Sequence, residues 1–94
     1  MFDMSGDMAT RGMRIAAEIG QQHLHGIGSP LQGVVLVDLV STWLAGHMSL
    51  PIDRQNSAEV DAVREELLAD FVRAVREMIP INEAMILERH GIKR

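Results

Sequence analysis

The clearest pattern of apolar and polar residues lies between Asn56 and Ile79, where apolar side chains recur at intervals of three and four residues. At about 100° per residue, this spacing places them on one face of a helix, opposite a charged face. The apolar stripe consists of Val60, Val63, Leu67, Leu68, Phe71, Val72, Val75, Met78 and Ile79. Asn56 and Glu59 also have the spacing of a capping box. The pattern therefore predicts a long amphipathic helix that begins at Asn56 or Ser57.

A second helix is predicted over the most apolar stretch of the chain, from Leu31 to Ala45. Ser29 and Gln32 are spaced as a capping box at its start, and Gly46 is a natural stop. The run from Val34 to Val40 is rich in β-branched residues and could form a strand. No second candidate strand is available to pair with it, so we favour a helix. Apolar side chains cover more than half of its girth, which is typical of a central helix with neighbours on several sides.

The N-terminal part of the chain predicts a third amphipathic helix, from about Asp7 to His25. Ser5 or Asp7 is suited to the N-cap position, and Gly26 to the position after the last turn. The helical projection places Met8 and Ile15 on the apolar face.

Near the C-terminus, Pro80 removes a backbone donor and is expected to break or kink the long helix. Residues Asn82 to His90 then resume a helical pattern, which Gly91 ends. Whether this part is a separate helix or a kinked continuation stays open at this stage. The expected fold is a single all-α domain over residues 1–94, with three main helices and a short C-terminal one.

Composition excludes several classes of protein. The 94 residues carry a formal charge of −4 and contain no Cys. A nucleic-acid partner held by phosphate contacts, a disulfide scaffold and a thiolate metal site are therefore not expected. The N-terminus lacks the pattern of a signal peptide, and the apolar stretch is short for a membrane span. We therefore expect a cytoplasmic protein with no cofactor and no membrane partner.

Residues with possible metal or ligand chemistry are few and scattered. His25, His47 and His90 adjoin glycines at predicted helix ends, where they can complement the helix dipole. His23 falls on an apolar face, and Asp38 lies in the middle of the apolar helix. These two, with His47 as a possible addition, form the candidate ligand site. Arg64 falls within the apolar stripe of the long helix, where it could extend its charge to solvent or pair with Asp38.

The distribution of apolar residues predicts self-association. Two helices have broad apolar faces, whereas the first helix supplies few large apolar side chains to cover them. A homodimer would complete the core, and another protein is the alternative partner. Its candidate interface comprises Val35, Leu39, Trp43, Met85 and Ile86. The expected function is a non-enzymatic helical interaction or structural module that acts as a homo-oligomer, and the alternative is a small-ligand or metal-binding protein that uses His23 and Asp38. No nucleophile–base pair, glycine-rich loop or carboxylate pair favours an enzyme.

Because the histidines are spread over helix ends without a supporting carboxylate cluster, we predict no stoichiometric binding of a transition metal by the untagged protein. Calorimetric titration with zinc tests this. A one-site isotherm of submicromolar affinity that His23→Ala abolishes would contradict the prediction.

Overall fold

The computed structural model describes residues 2–46 and 58–92, and every regular element in these two ranges is helical. The elements are α1 (Gly6–Ile19), a π-helical turn (Gly20–Leu24), α2 (Ser29–Gly46) and α3 (Ala58–Arg89). The all-α prediction is confirmed, and the Val-rich run is helical. The predicted connection from His47 to Asn56 and the predicted helix start at Asn56 or Ser57 lie outside the described residues.

Helix α1 begins after an N-terminal turn. Ser5 holds the N-cap position with an extended backbone, as predicted, but its side chain makes no capping hydrogen bond. Instead, the Ser5 hydroxyl and the Ser5 N–H both donate to Oδ1 of Asp3. These hydrogen bonds stabilise the carboxylate and hold the pKa of Asp3 below its usual value.

The side of α1 that faces the rest of the protein differs from the predicted one. Met8 was placed on the apolar face, yet 85% of it is exposed, whereas the neighbouring Ala9 is 7% exposed. A projection finds the apolar side of a helix but not the direction from which another element approaches. The buried residue of α1 is Ala9, one position after Met8.

The connection from α1 to α2 depends on two glycines and one glutamine. The N–H of His25 donates to the carbonyl of Gly20 at 2.8 Å, which closes the π-helical turn. Gly26 and Gly28 follow with φ of 82° and 89°, a conformation that side chains with a Cβ rarely adopt. The carbonyl of Gly28 accepts from the N–H of Gln32 at 3.0 Å, and the side chain of Gln32 donates to the carbonyl of Leu24 at 2.7 Å.

The predicted capping box at Ser29 is therefore wrong. Ser29 is the first residue inside α2, and Gly28 stands in the cap position. Gln32 reaches across the turn to Leu24 and not back to Ser29. The carbonyl of Leu24 ends the π-helical turn and accepts from the N–H of Ile27 at 3.4 Å, so the amide of Gln32 shares this acceptor.

Helices α2 and α3 are joined by Arg64. Its Nε donates to the carbonyl of Leu44 at 3.0 Å, and its Nη2 donates to the carbonyl of Ala45 at 2.7 Å. The last carbonyls of a helix have no partner within the helix, and a guanidinium carries several donors in a fixed plane. One turn before Arg64, Val60 is completely buried. The expected alternatives, a solvent-directed charge or a pair with Asp38, are both wrong because the end of α2 provides closer acceptors.

Helix α3 runs through Pro80 without interruption, so of the two possibilities left open the residues after Pro80 continue the long helix, and the short C-terminal helix of the expected fold is not a separate element. A proline inside a helix costs about 3 kcal/mol relative to alanine, but it removes the donor to only one carbonyl, that of Arg76. Both residues are exposed, so water can hydrate that carbonyl. The residues after Pro80 favour a helix, which offsets the cost.

The end of α3 agrees with the sequence prediction. Gly91 has φ of 70°, its N–H donates to the carbonyl of Glu88 at 3.0 Å, and the N–H of Ile92 donates to the carbonyl of Leu87 at 2.8 Å. This pair of bonds is the Schellman motif, which needs a left-handed residue after the helix.

The chain is elongated and sparsely packed. Its extents are 52 × 29 × 21 Å and its radius of gyration is 16.0 Å. A compact domain of this length would have a radius of gyration of about 12 Å. Among the described residues, the buried apolar side chains are Ala9, Leu44 and Val60. Contact between α2 and α3 is short, so within residues 2–46 and 58–92 many of their large apolar side chains are exposed.

The joint at Arg64 predicts a stability effect. Arg64→Met removes both donors to the end of α2 and should lower the free energy of unfolding by about 1.5–3 kcal/mol, as for hydrogen bonds made by a charged group. Arg64→Lys should recover only part of this loss, because an ammonium group does not reproduce the planar fork.

Chemical denaturation at one fixed protein concentration measures both variants. Arg73→Met is the matched control, since Arg73 is exposed and pairs with Asp70 one turn away at 3.3 Å. It should cost less than about 1 kcal/mol. Equal losses in Arg64→Met and Arg73→Met would show that the joint does not stabilise the fold.

Candidate functional site: an apolar groove

The three aromatic residues of the sequence form one cluster. The ring of Phe2 lies 5.8 Å from Trp43 and 6.2 Å from Phe71, and Trp43 lies 5.9 Å from Phe71, all measured between ring centroids. The interplanar angles of 56°, 88° and 50° are those of tilted and edge-to-face pairs, which aromatic rings prefer. The cluster ties the N-terminal segment to the last turns of α2 and the middle of α3.

An open groove begins at this cluster and follows the second half of α3. Its volume is about 570 Å³. We call it the α3 groove, and define it by its lining residues, which are Phe2, Met4, Trp43, Phe71, Ala74, Val75, Met78, Ile79, Asn82, Glu83 and Ile86. Nine of these eleven are apolar, so the groove is suited to a hydrophobic surface and offers few groups to a polar ligand.

The polar part of the groove is confined to Asn82 and Glu83. Asn82 follows Phe71, Val75 and Met78 at helical spacing, so its amide lies in line with the apolar side chains. Glu83 is half-buried beside it. The groove can therefore bind an apolar surface that also presents a hydrogen-bonding group at one point.

The predicted interface residues are only partly brought together. Trp43 and Ile86 both line the α3 groove, although 43 positions separate them in the sequence. Val35 is half-buried, and Leu39 and Met85 are exposed, but these three are not among the groove's lining residues.

The predicted ligand site does not form a shared cavity in the described structure. His23 lies exposed in the π-helical turn. Asp38 is exposed on α2, beside a shallow depression that it lines with Pro30, Gly33, Val34 and Val37, and with no histidine. Within residues 2–46 and 58–92, no group of three or more His, Asp or Glu side chains is placed to hold a metal ion.

The remaining histidines have different positions. His25 follows the π-helical turn, and His90 follows the last residue of α3, so both lie at helix ends as predicted. His47 lies outside the described residues.

Several residues of the groove were missed by sequence reasoning, among them Phe2 and Asn82. Phe2 precedes every helix, and no periodic pattern includes it. Its only signal is that it is one of three aromatic residues in a chain that has no Tyr. Asn82 could have been found, because it continues the stripe through Phe71, Val75 and Met78. The expected break at Pro80 hid this continuity.

Comparisons of the chain with protein-family models, curated proteins and solved structures find no match. In the part of the chain that the structure describes, no helix combines the length and apolar character required to cross a membrane.

The aromatic cluster predicts a second stability effect. Phe71→Ala removes the ring that contacts both Phe2 and Trp43, and should lower the free energy of unfolding by about 2–3 kcal/mol. Val72→Ala is the control, since the adjacent Val72 is exposed and does not line the groove. It should cost less than about 1 kcal/mol.

Denaturant unfolding followed by Trp43 fluorescence measures both variants. In Phe71→Ala, the emission of the native protein should also shift to longer wavelength because Trp43 gains contact with water. Two variants with equal stability and unchanged emission would mean that the cluster is not formed in solution.

Proposed function

We propose that the chain is a non-enzymatic helical interaction module that acts as a homodimer, in which each copy covers the apolar surface of the other. The observation that carries this proposal is the amount of large apolar side chain left exposed on α2 and on the second half of α3. Val37 on α2 is 70% exposed and Ile79 on α3 is 57% exposed. Monomeric proteins rarely expose contiguous apolar patches larger than a few hundred Å².

The total surface area supports a dimer quantitatively. By the usual scaling with mass, a compact monomer of 10.4 kDa exposes about 5,400 Å². This chain exposes 7856 Å², a surplus on the order of 2,500 Å² by that scaling. A stable interface covers about 800 Å² on each partner. The surplus is therefore large enough for an extensive interface.

Symmetry favours a second copy as the partner. Each copy leaves two apolar surfaces open, one on α2 and one on α3, and a two-fold mate can cover the same surfaces on both copies at once. A homodimer needs no further protein. The cytoplasm remains the expected location on the sequence grounds given above.

The alternative function, a small-ligand or metal site at His23 and Asp38, gains no support from the geometry. Both side chains are exposed, and the depression beside Asp38 does not include His23. The apolar surface is the stronger observation.

Sedimentation equilibrium at micromolar concentration tests the homodimer. We expect about twice the chain mass of 10.4 kDa and a melting temperature that rises with protein concentration. Ile86→Lys places a charge on the exposed rim of the α3 groove and should weaken the dimer at least about tenfold, because an ammonium group is costly to desolvate.

Ala84→Lys is the matched control, because it introduces the same charge on the same helix at an exposed position outside the α3 groove. It should leave the dimer unchanged. A monomeric wild-type protein whose melting temperature does not depend on concentration would overturn the proposed function.

A further inference from the structure

One polar side chain interrupts the apolar stripe of the α3 groove. Phe71, Val75, Met78, Asn82 and Ile86 follow one another at spacings of three and four residues, and all five line the groove. Asn82 is exposed in the single copy, so its amide is hydrated there. Any apolar surface that covers the stripe also covers this amide.

Covering an amide without a hydrogen-bond partner costs about 1–3 kcal/mol on protein scales. A partner surface that is only apolar would therefore fit the groove poorly at this point. The occupant should present a donor and an acceptor opposite Asn82. An asparagine amide provides both, so two asparagines can bond to each other.

We propose that the occupant of the α3 groove is the same stripe of α3 from a second copy, with the two-fold axis between the two Asn82 side chains. This inference rests on the proposed homodimer and specifies its seam, which is the surface along which the two α3 stripes meet. In a two-fold interface, a residue on the axis meets its own equivalent. The two amides bond to each other and fix the register of the two helices, as a single buried asparagine does in helical dimers.

The distribution of charge on α3 agrees with this seam. Arg73, Arg76 and Glu77 are exposed and do not line the groove, so three of the four charged side chains between Phe71 and Ile86 lie outside the covered stripe. Pro80 is also exposed outside the groove. The stripe from Phe71 to Ile86 extends for about 24 Å along the helix, long enough for a pair of helices to bury several turns.

The other polar residue of the groove does not provide the same symmetry. Two carboxylates of Glu83 facing each other across the axis would repel, whereas two amides attract. In a different register of the two helices, Asn82 would contact the partner's Glu83. Variants of Asn82 distinguish the two registers.

Oppositely charged variants of the full chain test the pairing. Asn82→Asp alone and Asn82→Lys alone each place like charges across the axis and should weaken the dimer roughly 100-fold, as for an unpaired charge in a seam. Mixing the two variants one to one should restore a dimer that contains one copy of each, because the charges then attract. Sedimentation equilibrium gives the dimer fraction, and native mass spectrometry gives its composition.

Arg76→Gln and Glu77→Gln are the controls, because they change the net charge by the same amounts on the exposed side of α3. Each should form a dimer like the wild-type protein, and mixing them should have no effect. If the Asn82 variants do not fold alone, mixing should restore the helical circular dichroism signal, which supports the pairing equally well.

Four outcomes would overturn the inference. A monomeric wild-type chain removes the homodimer itself. A wild-type dimer that neither Asn82 variant weakens places the seam elsewhere and leaves the proposed function intact. Two weakened variants that do not rescue each other place Asn82 in the seam but off the axis. A dimer strengthened by Asn82→Lys alone places Asn82 opposite the partner's Glu83.

Discussion

The Arg64 guanidinium determines how the two long helices meet, because it binds the carbonyls of Leu44 and Ala45 at the end of α2 from the beginning of α3. The last carbonyls of a helix need partners from outside it. A planar group with several donors can satisfy two of them at once. Val60, one turn before Arg64, is fully buried, so this polar contact lies beside the most buried position of α3.

These hydrogen bonds connect the C-terminal end of α2 to the N-terminal part of α3, and the two helices differ in length. Helix α2 has 18 residues and α3 has 32, which correspond to about 27 and 48 Å. A helix of the length of α2 can accompany little more than half of α3. The second half of α3 therefore has the aromatic cluster and the N-terminal segment beside it, and its apolar stripe remains open along the α3 groove. The groove stays open because the contact between α2 and α3 is short, and Trp43 is the one residue of α2 that lines it.

The sequence predicts features that depend on local geometry and fails where a distant partner decides. Helices α1 and α3 follow from apolar periodicity, α2 follows from the lack of a second strand to pair with it, and Gly91 ends α3 because the motif there needs a left-handed residue. Pro80 was expected to break or kink the long helix, and α3 continues through it because the cost at one residue did not outweigh the helical preference around it. The partners of Gln32 and Arg64 lie on other elements, which a projection of one helix does not show. Asn82 and Glu83 follow Pro80, and the expected break or kink there obscured their place beside the stripe.

An apolar surface as broad as that of α2 and α3 creates a problem of specificity. Hydrophobic burial depends mainly on area, so several registers of two apolar helices bury similar areas and have similar free energies. A polar group within the stripe removes this degeneracy, because only a register that supplies its hydrogen bonds avoids the cost of desolvation. Asn82 is such a group, at the cost of some of the stability that an apolar residue would provide there. An exposed apolar surface and a single amide within it are therefore complementary features, since the surface drives association and the amide selects one arrangement.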